Sequence, residues 1–373
     1  MKRKTSILRL LGVIVFIALP AWLYGQSANV ALPYLNMSND AQAGPGGAYF
    51  GTRPTPTSGM HFSANLTQLL IDQNGNETPL SEIAINNRNF EGGSLTNVAY
   101  TFSGPYDHGS GNAFTFYSQL YNGGSPVTAF NMHNDANSWI VGAGVAQPIN
   151  QSGSLSFGFN VNVLRTSMLP SLVKNPNDGN NYEYGYGDYL AFALSLAYDG
   201  REPDKSFYPT FGLGINNLGF ELSNNGGYQK AFLPTDIGAG FAMTQVFPDH
   251  SQLSWPLDLH VSLAPAMPYS QQEIANYQKI SYGVFAPSKF ISLSTGFEYK
   301  FFTAKGNYIN LKAGVKTDGP NFDKRYTGLV PGCDIQIGKF TVSASYFWTS
   351  SDGLYGKTAL VGLSYWFNKN KIE

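Results

Sequence analysis

Apolar and polar residues alternate with a period of two along much of the chain. In "LSFGFNVNV", Leu155, Phe157, Phe159, Val161 and Val163 share one face, and Ser156, Gly158, Asn160 and Asn162 the other. "LAFALSLAY" sets Leu190, Phe192, Leu194, Leu196 and Tyr198 against Ala191, Ala193, Ser195 and Ala197. "LDLHVSL", "GFEYKFF" and "YINLKAGVK" repeat the device, the last opposing Ile309, Leu311, Ala313 and Val315 to Asn310, Lys312, Gly314 and Lys316. Such alternation predicts strands with one greasy face and one polar or small face. Looser runs such as "LTNVAYTF", "SWIVGAGVA", "FTVSASYFW" and "ALVGLSYWF" fit the same template. Clusters such as "YNGGSP", "NPNDGNN" and "TSSDG" punctuate them as turns. At least a dozen strands are expected. The helical patches, "LTQLLID" and "QQEIANYQ", are short.

Composition decides where those strands lie. Of 373 residues, 13% are charged and 14% aromatic, against about 25% charged in an ordinary soluble domain. Several runs reach eight or nine residues, near the length that crosses a bilayer when tilted. Aromatic residues crowd strand ends, as in Tyr346-Phe347-Trp348 and Tyr365-Trp366-Phe367, where interfacial girdles lie. No apolar run after Gln26 approaches the length of a spanning helix, so a membrane-embedded mature chain must be a closed barrel. The expected fold is an all-β transmembrane barrel, with lipid as its surroundings.

The N-terminus reads as an export signal. Lys2, Arg3 and Lys4 precede an apolar core from Leu10 to Leu19 and a short polar end. The expected division is a signal peptide over residues 1–25, a glycine-rich segment over 26–58 that is plug-like or periplasmic, and the barrel over 59–373. Removing the four cations Lys2, Arg3, Lys4 and Arg9 takes the formal charge from −1 to −5, which excludes nucleic acid as a natural partner. Cys333 is the single cysteine. It alternates with Ile335 and Ile337 and reads as an apolar strand position.

No chemistry-bearing constellation emerges. The five histidines, His61, His108, His133, His250 and His260, lack zinc-motif spacing. No G-x-S-x-G elbow occurs. "YGKT" at Tyr355–Thr358 has Ser351 where a phosphate loop needs glycine, and "GLGINNLG" misplaces the third glycine of a dinucleotide fingerprint. His260, beside Asp258 and Ser262 on a polar strand face, is expected to face the lumen. No catalytic residue, metal or cofactor is assigned, and the chain is expected not to be an enzyme. "SLVKNPNDGNNYEYGYGDY" is a better functional candidate. Its Tyr182, Tyr184, Tyr186 and Asp188 make a tyrosine-rich loop suited to contact with a partner.

One stretch carries a family resemblance. "GINNLGFELSNNGGYQKAFLPTDIGAGF" contains Asn217, Gly219, Phe232, Pro234, Thr235, Gly238 and Gly240 in an order that resembles the PorV/PorQ family. "NDAQAGPGGAY" supplies a second match at Asp40, Ala41, Gly44, Gly46 and Gly47. The chain departs at Gln42, where the family usually carries Arg, and at "HFSANL", where Trp-Asn-Pro-Ala is common. The resemblance implies a FadL-like outer-membrane barrel of fourteen antiparallel strands, in a Gram-negative cell of the Bacteroidetes type. It implies a part in type IX protein secretion: binding the C-terminal signal domain of cargo leaving a translocon barrel, and presenting it to a sortase-like attachment complex. The alternative is a FadL-like transporter of hydrophobic small molecules. The segment Ser223 to Lys230 is expected to be a loop outside the bilayer.

Overall fold

The computed structural model describes residues 29–30, 81–90, 93–103, 111–123, 136–150, 154–167, 186–202, 205–224, 231–232, 236–262, 291–303, 307–321, 324–349 and 357–367. In chain order the strands are β1 (Asn29–Val30), β2 (Ser81–Phe90), β3 (Gly93–Ser103), β4 (Ala113–Gly123), β5 (Ala136–Pro148), β6 (Leu155–Ser167), β7 (Tyr186–Asp199) and β8 (Phe207–Asn224). They continue with β9 (Ala231–Phe232), β10 (Asp236–Val246), β11 (Gln252–Ser262), β12 (Ile291–Phe302) and β13 (Tyr308–Asn321). The last are β14 (Lys324–Leu329), β15 (Gly332–Ile337), β16 (Phe340–Thr349) and β17 (Lys357–Trp366). β1 and β9 form a separate two-stranded parallel pair.

All other strands join one antiparallel sheet. Each pairs with the next, and β17 pairs with β2 from Ala359↔Asn89 to Trp366↔Glu82. β14 and β15 both lie between β13 and β16. They are two halves of one stave, interrupted at Val330 and Pro331. The result is a closed antiparallel barrel of fourteen staves, with every strand edge paired round the ring. Closure is what lets a sheet sit in lipid, because no row of backbone N–H and C=O groups is left without partners.

The alternation read from the sequence becomes inside and outside. Phe211, Leu213, Leu257, Leu259, Val361 and Leu363 point outward and are exposed. Their neighbours Thr210, Asp258 and Ser364 point inward and are buried. Cys333 follows the rule, sharing the outer face of β15 with Ile335 and Ile337, while Asp334 and Gln336 turn inward. An outer wall this apolar faces lipid, as transmembrane barrels do.

The two rims differ. Residues 149–154, 200–206, 247–251, 303–307 and 338–339 make short connections at one end. Residues 104–112 make a longer connection at that same end, and residues 91–92, 124–135, 168–185, 225–235, 263–290, 322–323 and 350–356 connect staves at the other. Short periplasmic turns and longer extracellular loops are the outer-membrane pattern. An aromatic belt runs outside the short-turn rim. Tyr100 stacks on Phe102, Phe102 on Phe114, and Phe340 and Phe367 both pack on Tyr365. Trp348 lies at the far end of β16, so the aromatic strand ends expected from sequence mark both rims.

β8 departs from regularity. It is 18 residues long and runs to Asn224, so Ser223 belongs to a strand and not to the expected loop. The ladder to β7 slips between Phe192 and Leu194, leaving Asn216 and Asn217 opposite Ala193. Asn217 takes a φ of 56° there. Asparagine tolerates this left-handed conformation better than branched residues do, and the extra residue makes a bulge. Two positions on, a Cβ at Gly219 would sit on the Leu190 carbonyl oxygen and within 2.7 Å of Ala191 Cα. Glycine is required by that close approach.

Candidate functional site

The lumen is where side chains from all fourteen staves converge. An eight-stranded barrel is just filled by its own side chains, and diameter grows with strand number. Here the inward side chains are nearly all buried, Asn97, Thr115, Asn160, Asn310 and Ser343 among them, and the inner wall is the surface on which they meet.

Directly paired residues make one row round that wall. It starts near the long-loop rim with Tyr189 on β7 and passes through Leu164, Ile140, Gln119, Asn97 and Asn86. It continues through Gly362, Ser343 and Asp334 to Asn310 on β13, near the short-turn rim. Strand tilt turns the row into a spiral descending from one rim toward the other. Its chemistry changes on the way, from aromatic and aliphatic to amide, then small, then ionic.

The ionic end is tightly bonded. Lys312 Nζ meets Asp334 Oδ2 at 2.7 Å, and both side chains are nearly inaccessible. Asn310 Nδ2 donates to Asp334 Oδ2 at 2.9 Å and to Glu298 Oε1 at 2.6 Å. Lys300 Nζ lies 4.6 Å from the Tyr308 ring centroid. Charges inside a membrane barrel persist only when paired like this, because an isolated buried ion costs several kcal/mol. On β11, His260 Nε2 lies 3.9 Å from Asp258 Oδ2. Both point inward, as the polar face of "LDLHVSL" predicts.

The opposite arc is uncharged. No inward position of β3, β4, β5 or β6 carries Asp, Glu, Lys or Arg. Tyr117 donates its hydroxyl to Asn162 Oδ1 across β5. That geometry needs Gly142, where an added Cβ would collide with the Tyr117 ring and the Asn162 amide. Gly144 makes the same room for Asn160. The two glycines explain the small residues of "SWIVGAGVA": they make room for the Tyr117 ring and for the Asn160 and Asn162 amides.

On the outside, Trp139, Arg165, Asp188 and Ser223 are directly paired on β5 to β8. Arg165 Nε and Nη2 reach the two Asp188 oxygens at 2.7 and 3.0 Å, and Ser223 Oγ donates to Asp188 at 2.8 Å. The Arg165 guanidinium lies 5.9 Å from the Trp139 ring. This polar rung caps the apolar wall beneath the long-loop rim. Asp188, expected to serve a partner-binding loop with Tyr182, Tyr184 and Tyr186, is thus engaged within the barrel wall. Tyr186 begins β7, and Tyr182 and Tyr184 lie outside the described residues.

The other expected positions divide similarly. Asn217 and Gly219 form the β8 bulge. Gly238 and Gly240 are inward positions of β10. Phe232 ends β9. Asp40, Ala41, Gly44, Gly46, Gly47, Pro234 and Thr235 lie outside the described residues, as do both helical patches. The amide stretch of the spiral was not singled out from sequence, because alternation says which residues face inward and not which become neighbours. Among the described residues, no group of three or more His, Cys, Asp or Glu is placed to hold a metal ion.

No protein-family model and no curated protein sequence matches this chain. Among solved structures, a Pseudomonas aeruginosa FadL homologue is similar over 92% of this chain and 100% of its own, at 11% identity and a TM-score of 0.48. The Pseudomonas putida toluene transporter TodX is similar over 86% of this chain and 99% of its own, at 10% identity and a TM-score of 0.42. CdiB from Acinetobacter baumannii is similar at 8% identity and a TM-score of 0.40, over 78% of this chain and 60% of that one. The fold itself rests on strand order and closure: the chain is a transmembrane β-barrel of the outer-membrane type.

Proposed function

We propose that this barrel is an outer-membrane transporter that passes small, largely hydrophobic molecules. The observation that supports the reading is a closed fourteen-stave cylinder in which the inward positions of four adjacent staves, β3 to β6, carry no charge. On the ionic side Lys312 pairs with Asp334, and Asn310 donates to Asp334 and to Glu298. Transport of hydrophobic small molecules is the alternative that the sequence offered beside protein secretion, and the toluene transporter TodX is similar in architecture. No bond-making role is assigned to any side chain.

The test is uptake in intact Gram-negative cells whose own channels for such solutes are deleted. Cells exporting the mature chain should accumulate radiolabelled toluene faster than empty-vector cells. Equal rates sink the proposal.

A second reading keeps the barrel as a secretion platform, in a Bacteroidetes-type cell and reached through a cleaved signal peptide. It would bind cargo signal domains, a translocon barrel and a sortase-like attachment complex. The "GINNLG…FLPTD" resemblance favours it. Yet Asn217 and Gly219 are explained by the bulge they build, and Asp188 by its salt bridge, so these positions need no partner to account for them. A mild-detergent pull-down that recovers cargo with C-terminal signal domains would restore this reading over transport.

A further inference from the structure

We propose that residues 31–80 run through the lumen from the long-loop rim to the short-turn rim, with the inner face of the barrel as their docking surface. The inference goes beyond transport and secretion alike, because it concerns what the inner face already binds.

The two ends of that segment are held at opposite rims. Val30 closes β1, which pairs in parallel with β9 at Asn29↔Ala231 and Val30↔Phe232. β9 lies in the connection from β8 to β10, which belongs to the long-loop rim. Phe232 closely precedes Asp236, the head of β10, so the chain between them reaches at most about 14 Å. Pairing of β1 beside β9 adds about 5 Å. The apolar band of a transmembrane barrel is about 25 Å tall, so Val30 cannot stand at the far rim. Ser81 opens β2 at that far rim, where its carbonyl accepts from the Phe367 amide and Phe102 of the aromatic belt is its partner across the ladder. The chain from Val30 to Ser81 must therefore cross the height of the barrel. A route outside would lay it in lipid. There a lone segment has to bond its own backbone as a helix, which Pro33, Pro45, Pro54, Pro56 and Pro79 interrupt. Asp40, Arg53, Asp72 and Glu77 would also be stranded in hydrocarbon. The remaining route is the lumen.

Burial of the inner face points the same way. Eight strands are just filled by their own side chains, and this ring has fourteen staves. Yet Thr115, Ala191 and Ser343, on separate arcs, are fully buried. Each has a glycine as one paired neighbour: Gly144 beside Thr115, Gly219 beside Ala191 and Gly362 beside Ser343. Small residues flanked by glycine are not covered by their own wall, so the cover comes from the lumen side. The connections 124–135, 168–185 and 263–290 are anchored at the long-loop rim alone. Thr115 is buried near the short-turn rim, which favours a segment that passes both. Roughly a dozen extended residues suffice for the crossing, so most of 31–80 remains to cover the wall. Inward amides such as Asn86, Asn97 and Gln119 both give and take hydrogen bonds, which suits a polar, glycine-rich backbone.

Thiol labelling on intact cells reads the rims. In a Cys333→Ser background, a membrane-impermeant maleimide should label Ser27→Cys, just ahead of β1, as fully as Asn225→Cys in the β8–β10 connection. Ala304→Cys, between β12 and β13, should label only after lysis. Disulfide scanning reads the lumen. Ala191 and Ala197 share the inward face of β7, the first nearer the long-loop rim and the second nearer the short-turn rim. Ala191→Cys and Ala197→Cys are each combined in turn with cysteines placed along 31–80 and, for comparison, along 263–290. Circular dichroism confirms that each variant keeps its barrel. Disulfides are expected with 31–80, earlier positions bonding at 191 and later ones at 197. Labelling of Ser27→Cys only after lysis, no disulfide with any position of 31–80, or disulfides with 263–290 alone overturns the inference.

Discussion

Gly219 and Asn217 show how much a single position carries in a closed wall. Asn217 adopts a φ of 56° where the β7–β8 ladder slips, and Gly219 brings its Cα against the Leu190 carbonyl. In a soluble sheet an added methyl could be relieved by a small strand shift. Here every stave is bonded on both sides, so the shift must propagate round the ring. Gly219→Ala is therefore expected to cost about 1–3 kcal/mol, the usual range for overpacking. Guanidinium unfolding of the barrel in lipid vesicles measures it, and an unchanged midpoint would mean the β8 bulge relaxes freely. Glycine and asparagine at these positions were legible as a motif in the sequence. Their reason was not, because a bulge exists only relative to a partner strand.

At the scale of the element, the short turns are self-contained. The turn between β10 and β11 is closed by the Phe247 amide donating to the Ser251 carbonyl and the His250 amide donating to the Phe247 carbonyl. Asp249 accepts from the Ser251 amide at 3.1 Å and its hydroxyl at 2.6 Å. Those bonds favour the carboxylate and hold Asp249 below the ordinary aspartate range, led by the Ser251 hydroxyl. A depressed folded-state pKa contributes stability that is present above the unfolded value, near 3.9, and lost as pH falls through the folded value. The Ser251 amide resonance should thus shift with a midpoint below that of an unfolded aspartate, and Asp249→Asn should remove the titration. A midpoint at or above the ordinary value would contradict the bonding.

At the element scale the sequence was also at its most readable. The faces of β6, β7, β12 and β13 followed from alternation alone, down to Lys312 inward and Leu311 outward. β8 was less so. Its final residues looked like a polar loop, yet they pair with β7 as far as Gly187↔Asn224, because Asp188 and Ser223 bond across the ladder. Polar composition signals a loop only where no neighbour satisfies it.

For the whole molecule, the decisive property is that the wall meets lipid. Leu213 points outward from the middle of β8 and is 54% exposed. Replacing an exposed leucine by arginine on a water-facing strand usually changes stability by within about ±0.5 kcal/mol. On the lipid face of a barrel the cost is about 2–4 kcal/mol near the midplane. Leu213→Arg, unfolded in vesicles, therefore tests the environment of the whole cylinder, and a negligible effect would argue that this wall is wetted.

Alternation, scarce charge and aromatic strand ends were enough to determine an all-β chain with a greasy face and a polar face, because those properties are local and repeat every two residues. Which inward residues became neighbours was decided only by the tertiary structure. Asn97 stands beside Gln119, and Asp334 beside Asn310, through the register between neighbouring staves, and Asn86 stands beside Gly362 through ring closure between staves at opposite ends of the chain. Pairing energy of that kind belongs to two strands at once, and no single stretch of chain encodes it.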